Sequence, residues 1–405
     1  MPETFVVVGG GHAGAQAVDS LRRENPAARI VLVAGEPALP YQRPPLSKKF
    51  LGGELELERL GIRPASFYES IHCEVVTGNP VAAIDRKARR LALADGATFG
   101  YDKVVLATGG RARPLPAPGA DLPGVHLMRT VADVQEIRAQ LAPGRRVAIV
   151  GAGYIGLECA ATLCKLGMKV SVVETLDRVM SRVVAPEVSR FYEAEHRGHG
   201  VEILTGRRVS AFEGKDRVAA VACADGSRVP AELVIVGIGI EPDTKLAAAA
   251  GLACDDGIAV DEHCRSSDPE IYAVGDCCSF PSLRYGRRVR LESVDNAFEQ
   301  AKTAAANACG RAVVHDKTPW FWSDQFDLKL QIVGLSQHYE RIILRGDPAT
   351  KSFSCCYLRD GELIALDAIN HGKDFMAARK LIAERARLDP ARAADDTVAL
   401  RDAVA

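Results

Sequence analysis

Two stretches of this chain share one grammar, and few folds can satisfy it twice. "TFVVVGGGHAG" runs four apolar residues into Gly9, Gly11 and Gly14, continues into the helically spaced "AQAVDSLRREN", and returns through the apolar "RIVLVAGE" to Glu36. "RRVAIVGAGYIGLECAATLCKLGMKVSVVE" repeats the pattern with Gly151, Gly153 and Gly156 and ends on Glu174. A strand that opens through GxGxxG into a helix, with an acid about 20 residues beyond the last glycine, is the dinucleotide-binding fingerprint. The glycines allow a tight turn and close approach of backbone to a pyrophosphate, and the helix N-terminus adds partial positive charge. One GxGxxG is weak evidence, because a glycine turn can be purely structural. The whole pattern occurring twice predicts an α/β fold with two Rossmann-type domains.

The chain has 405 residues, more than one hydrophobic core usually serves. Its formal net charge of -1 provides no global field for nucleic acid or an anionic membrane, so neither is expected as a partner. The longest apolar run, Leu233 to Ile240, falls far short of the ~20 residues of a membrane span. The chain enters an apolar strand at Phe5, so no targeting leader is read and a cytoplasmic location is expected.

Eleven cysteines are scattered without a CxxC pair, which suits a reducing compartment, and no metal site is read. Cys277-Cys278 and Cys355-Cys356 are adjacent pairs, expected on opposite faces of strands. Cys159 and Cys164 stand five apart in a helical stretch and so do not share a face. All are expected to pack as small hydrophobes.

Between the two glycine units, "YDKVVLATGGRARPLPAPGADLPGV" reads as a strand followed by a Gly/Pro-rich linker. "DGSRVPAELVIVGIGIEPD" and "DPEIYAVGDCCSF" are strand-and-turn segments beyond the second unit. From "TPWFWSDQFDLKLQIVGL" onward, short alternating strands and a charged helix, "FMAARKLIAERARL", predict a third, α+β domain beginning near residue 316.

Six ordered motifs, "PYQRPPLSK", "LATGGRARPLP", "IVGAGYIGLE", "IYAVGDC", "LESVDNAFEQA" and "PWFWSDQFDLKLQIVGL", together resemble the FAD-dependent, NADH-using ferredoxin reductases of oxygenase systems, the putidaredoxin reductase type. The resemblance runs in consistent order over nearly the whole chain. It implies two glutathione-reductase-like nucleotide-binding domains: a discontinuous FAD domain over 1–113 and 240–315, and an NAD domain over 114–239. A C-terminal α+β interface domain would occupy 316–405.

Residue by residue, the resemblance implies that Gly9, Gly11, Ala13 and Gly14 cradle the FAD pyrophosphate and that Glu36 binds the adenosine ribose. Several relatives carry that acid one position earlier, where this chain has Gly35. Arg43 and Lys48 match flavin contacts, Asp276 a ribityl contact, and Val81, Thr108, Gly109, Arg129 and Val294 further FAD-lining positions. Trp322 is expected near the flavin and the docking face. Gly151, Gly153, Ile155, Gly156 and Gly239 are expected at NAD, with Glu174 on its ribose. Glu158 would pair with Lys48 where the nicotinamide stacks, and these two are the candidate catalytic residues.

The chemistry gives independent reasons for two of these. A reduced flavin carries negative charge, which a fixed cation stabilises, and Pro44 and Pro45 stiffen the segment that would hold Lys48. A carboxylate at Glu174 accepts from a ribose 2′-hydroxyl and repels a 2′-phosphate, favouring NADH over NADPH. Against these stand plainer readings. A loop lysine is ordinarily a surface residue, an acid in a first helical turn ordinarily serves the helix dipole, and Val81 and Val294 would pass for core.

In two-domain flavin reductases that use a redox disulfide, a CxxxxC pair lies near the position of "PYQRPPLSKKF", which has no cysteine. The flavin is therefore expected to store both electrons and pass them singly to a [2Fe-2S] ferredoxin feeding a cytochrome P450 or similar oxygenase. The monooxygenase side is favoured by "ESVDNAFEQA", since dioxygenase reductases tend to carry Trp-Gln where this chain has Val294-Asp295. "LRYGRRVRLE", with Arg284, Arg287, Arg288 and Arg290, is the basic candidate for docking an acidic ferredoxin; a solvated hairpin tip is the plainer reading. Rubredoxin as acceptor and an NADH-sensing flavoprotein like apoptosis-inducing factor are the alternatives. A monomer or weak dimer is expected.

Overall fold

The apolar run after Thr4 becomes the middle strand of a five-stranded parallel sheet, in the order Ile271–Ala273, Lys103–Leu106, Thr4–Val8, Arg29–Ala34, Cys73–Thr77. A parallel sheet covered on both faces requires continuous rather than alternating hydrophobicity, and Phe5, Val6 and Val7 are all fully buried. The helix His12–Glu24 leaves the first strand through the glycine turn and packs on the helix Val294–Ala308. Small side chains make this possible: Ala297, Ala301, Ala304 and Ala305 share one core with Ala13, Ala17 and Leu21. The later helix starts at Ser293, whose hydroxyl caps it by accepting from Asn296 N at 3.2 Å.

In this computed structural model, which describes residues 2–405, the chain divides into two compact units. The first contains the sheet above and is built from the residues up to Arg43, Leu57–Arg111 and Glu241–Pro319. The second is built from Pro44–Glu56, Ala112–Ile240 and Trp320–Ala405. The "PYQRPPLSKKF" stretch is thus split after Arg43, Lys48 and Lys49 belonging to the second unit.

The second unit has its own parallel sheet, in the order Glu202–Leu204, Lys169–Val173, Arg146–Val150, Leu233–Val236, Val125–Leu127. The last of these strands begins at Val125, the final residue of the stretch read as a strand and linker. Two helices, Tyr154–Lys165 and Pro186–Gly198, follow the glycine turn in sequence. The same unit holds a five-stranded antiparallel sheet, Trp320–Gln325, Leu328–Gly334, Glu362–Ile369, Ser352–Arg359, Arg341–Asp347, with the helix Gly372–Ala383 packed on it. Arg345 ties the C-terminal segment to that sheet. It is 2% exposed, donates to Asp374 Oδ2 at 2.9 Å, and donates to the carbonyls of Ala393, Asp395 and Val398 at 2.5, 3.0 and 2.8 Å.

All eleven cysteines are free. Cys159 packs against Met128 and the Cys164 thiol donates to His199 O at 3.0 Å. Cys355 and Cys356 lie in one strand and are both buried. Cys277 departs from the expectation of a strand: it closes a 3-10 turn, Gly275–Cys277, before the strand Cys278–Ser282 begins. Among the described residues no helix is long and apolar enough to cross a membrane, and no cluster of His, Cys, Asp or Glu could hold a metal ion.

Buried titratable groups give the fold a pH dependence. Burial pushes His196 and His315 down to about 4, so between pH 4 and 6.5 the unfolded chain takes up protons that the fold refuses. Stability from these two is full above about 6.5 and lost as pH falls towards 4. Asp367 acts in the opposite sense. Fully buried and accepting from the Tyr357 hydroxyl, it is pushed up to about 7 by burial. Its contribution is full below its usual value of 3.8 and lost as pH rises through 7. Thermal midpoints measured from pH 4 to 8 are expected to rise less steeply below pH 6.5 in His315→Gln than in the wild type, and Asp367→Asn is expected to gain stability relative to the wild type as pH rises from 4 to 7.

Candidate functional site

The first glycine turn shows why each glycine is needed. At Gly9, φ is +126° and an added Cβ would collide with the carbonyl of Ala107. At Gly14 it would collide with the carbonyl of Gly9, so helix and strand meet backbone to backbone. Gly11, which precedes the helix and has no side chain to cap it, faces open space. Two glycines close the turn, and the third leaves a bare helix N-terminus with room for an anionic group. The turn carrying Asp276 closes on the same place: a Cβ at Gly275 would lie 3.2 Å from that of Ala13, and Gly275 N donates to Gln300 Oε1 at 2.7 Å.

Glu36 follows the second strand. Its carboxylate accepts from the Tyr41 hydroxyl at 2.5 Å and from Arg43 at 2.5 Å, and the Arg43 guanidinium also lies 4.5 Å from the centre of the Tyr41 ring. Glu36 and Arg43, expected as separate cofactor contacts, are partners of each other. Position 35 is crowded, since a Cβ there would come 3.2 Å from Pro80 Cβ. That is a physical reason for the acid to stand one residue later. Thr108 Oγ1 donates to Asp243 O at 2.7 Å, Gly109 has φ +66°, and Val81 and Val294 are half-buried at the starts of a strand and a helix. Arg129 belongs to the second unit, where its backbone N–H donates to Asp133 Oδ2 at 2.8 Å.

The second turn repeats the first. Gly151 has φ +103° and a Cβ there would lie 2.5 Å from Gly237 O; one at Gly156 would collide with the Gly151 carbonyl; Gly153 faces open space ahead of the helix Tyr154–Lys165. Glu174 is held at this turn, accepting from Ala152 N at 2.7 Å and Leu176 N at 2.8 Å. Gly239, with φ +106°, also faces open space, and Ile155 is 44% exposed beside the turn.

Lys48 and Glu158 come together. The turn Pro44–Ser47 is pinned by Lys48 N donating to Pro45 O at 3.0 Å, and Thr162 Oγ1 on the Tyr154 helix donates to Ser47 O at 2.9 Å. Glu158 is 2% exposed. Its Oε2 accepts from Lys48 Nζ at 2.7 Å and from Ser47 Oγ at 2.5 Å, while Oε1 accepts from Ser323 Oγ at 2.7 Å. The Lys48 side chain is 19% exposed, so the ammonium is held rather than solvated. Neither serine carried a signal in the sequence. Trp322 is next to Ser323 and side chains alternate along a strand, so it lies on the opposite face, its ring 5.5 Å from that of Trp320.

The arginine cluster requires a correction. Arg290 is paired with Asp256 at 3.2 Å and Glu292 at 2.6 Å, and its side chain is 12% exposed. Arg288 donates to Val260 O at 3.0 Å and to Ser279 O and Oγ, stitching neighbouring strands. The Arg290 charge is thus met by two acids, while Arg288 stays exposed with its donors on neutral oxygens. Arg284 is half-buried, and Arg287 is exposed, its guanidinium donating to Arg288 O at 3.4 Å.

Residues 3–301 match the family described as pyridine nucleotide-disulphide oxidoreductase, and residues 320–404 match the reductase C-terminal family. Putidaredoxin reductase of Pseudomonas putida is 44% identical, over 100% of this chain and 97% of its own length. A ferredoxin reductase subunit of 5,5'-dehydrodivanillate O-demethylase from a Sphingobium strain is 45% identical, over 99% and 98%. Among solved structures, a ferredoxin reductase from Rhodopseudomonas palustris superposes with a TM-score of 0.96 at 42% identity, covering 100% of both chains. The covalent complex of putidaredoxin reductase with putidaredoxin gives 0.95 at 43%, covering 98% and 97%.

The glycine geometry separates two effects. Gly14→Ala is expected to abolish the soluble fold or cut its thermal stability severely, whereas Gly11→Ala is expected to fold with a near-native melting curve and lose affinity for dinucleotide. Circular dichroism melts beside flavin content after purification check both.

Proposed function

The chain belongs to the pyridine nucleotide-disulphide oxidoreductase family, whose members depend on FAD and NAD(P)H, and we propose that it is the NADH-dependent ferredoxin reductase of an oxygenase system. It passes electrons singly to a [2Fe-2S] ferredoxin that supplies a cytochrome P450 or similar oxygenase. The observation that carries this reading is the Lys48–Glu158 pair. Lys48 lies in a sequence stretch without cysteine, at the place where a redox disulfide would stand, so no dithiol in that stretch competes with a direct one-electron acceptor. The free cysteines also suit a cytoplasmic location.

Bound FAD supplies the conversion of a two-electron hydride into single electrons. The residues of this chain bind, orient and supply charge. Gly9, Gly11, Ala13, Gly14 and Asp276 fit the FAD side, and the bare helix N-terminus after Gly11 is the anion site. Gly151, Gly153, Ile155, Gly156 and Gly239 fit NADH. Glu174, fixed by two backbone donors, accepts from the ribose 2′-hydroxyl and repels a 2′-phosphate. Lys48, fixed by Glu158, provides the cation that a reduced isoalloxazine requires. We assign 1–113 and 240–315 to FAD, 114–239 to NAD and 316–405 to the interface domain.

Two measurements test this reading. NADH is expected to reduce the flavin far more efficiently than NADPH, and Glu174→Gln should narrow the ratio of kcat/KM by roughly tenfold or more, the scale of one charge-assisted interaction; an unchanged ratio would remove Glu174 from coenzyme selection. For docking, Arg287→Glu is expected to weaken ferredoxin reduction and flatten its salt dependence while sparing ferricyanide reduction by NADH. Equal loss with both acceptors would reject the docking role, and faster turnover with rubredoxin than with any [2Fe-2S] ferredoxin would reject the acceptor.

A further inference from the structure

Glu158 sits at the end of a buried chain of donors that the proposed chemistry does not by itself require. On the strand Trp320–Gln325, residues two apart share a face, so Ser323 and Gln325 point the same way; they are 0% and 1% exposed. Gln325 Nε2 lies 3.1 Å from Ser323 Oγ, and Gln325 Oε1 lies 2.9 Å from His196 Nε2 on the helix Pro186–Gly198. His196 is 0% exposed, with the Phe326 ring edge-on to it at 5.0 Å.

Chemistry fixes the polarity of this chain. The Gln325 oxygen is only an acceptor, so His196 Nε2 carries the proton and donates to it. The Gln325 amide then donates to Ser323, whose own proton goes to Glu158 Oε1 at 2.7 Å. Each donation runs towards the carboxylate, the arrangement in which successive hydrogen bonds polarise one another. Among the described residues, Ser323 is the one donor to Oε1, while Lys48 and Ser47 share Oε2. A carboxylate held from one oxygen can swing about its last bond; held from both, it cannot.

We infer that Ser323, backed by Gln325 and His196, is a positioning residue for Glu158: it fixes the rotation of the carboxylate and through it the place of the Lys48 ammonium. The inference rests on the reading that the Lys48–Glu158 pair serves electron transfer from NADH. His196 is the remote anchor. Its neutral ring, with Nδ1 unpartnered, is tolerated because its other nitrogen orients the chain.

The experiment compares Ser323→Ala, Ser323→Thr and Gln325→Leu with the wild-type holoprotein, using Lys48→Ala as reference. Anaerobic stopped-flow separates the limiting rate of flavin reduction from the apparent Kd for NADH. The long-wavelength charge-transfer band and a crystal structure of Ser323→Ala provide readouts independent of turnover.

Ser323→Ala is expected to slow flavin reduction about tenfold, the scale of one hydrogen bond to a charged group. The Kd for NADH and the melting temperature should change little, the charge-transfer band should shift, and Glu158 Oε2 should move away from Lys48 Nζ. Ser323→Thr, which keeps the hydroxyl, should restore the rate, and Gln325→Leu should lose roughly threefold. A full rate in Ser323→Ala while Lys48→Ala is slow would overturn the inference alone. Full rates in both would overturn the role of the ion pair itself. A parallel fall of rate, affinity and melting temperature, not restored by threonine, would reduce Ser323 to a structural residue.

Discussion

A carboxylate buried to 2% exposure has to be answered by donors, and the second unit is arranged around that demand. Glu158 is the fifth residue of the helix that follows the second glycine turn, one turn past the N-terminus where the helix dipole would favour an acid most. The dipole alone does not satisfy two buried oxygens. The Pro44–Ser47 turn brings Ser47 and Lys48 to one of them, and the strand Trp320–Gln325 brings Ser323 to the other. Removing either partner would leave a buried charge under-satisfied, which is far costlier than never having formed the pair. Three segments far apart in sequence are held in register by one side chain.

The duplicated glycine turn shows how the same constraint can be finished differently. In both copies, two glycines stand where a Cβ would strike a backbone carbonyl, and the middle one leaves open ground at a helix N-terminus. The acids that close the pattern diverge. Glu174 is anchored by backbone N–H groups of its own turn, whereas Glu36 is held by the side chains of Tyr41 and Arg43. A carboxylate fixed by backbone is a rigid selector. Glu36 instead shares its position with a guanidinium that is itself stacked on the Tyr41 ring.

Local charge density proved a poor guide to available charge. The run from Arg284 to Arg290 holds four arginines, yet Arg290 faces two acids and Arg288, though exposed, donates to the carbonyls of Val260 and Ser279. A guanidinium offers five donors, and a strand edge or a nearby carboxylate uses them readily. What a partner meets at this surface is therefore smaller than the sequence implies.

The amino-acid sequence by itself determined the two parallel sheets, their glycine turns and the acid at Glu174. Each of these follows from relations between neighbours: continuous apolar runs, fixed glycine spacing, an acid at the end of the next strand. It also singled out Lys48 and Glu158, through resemblance more than periodicity. Only the tertiary structure decided that Ser47, Ser323, Gln325 and His196 converge on that pair, and that Arg290 is paired inside the fold. Ser323 is 165 residues from Glu158, and His196 is 129 from Gln325. Hydroxyls, amides and neutral imidazoles carry no periodic signature, and their value depends on which buried atom the fold sets within 3 Å of them.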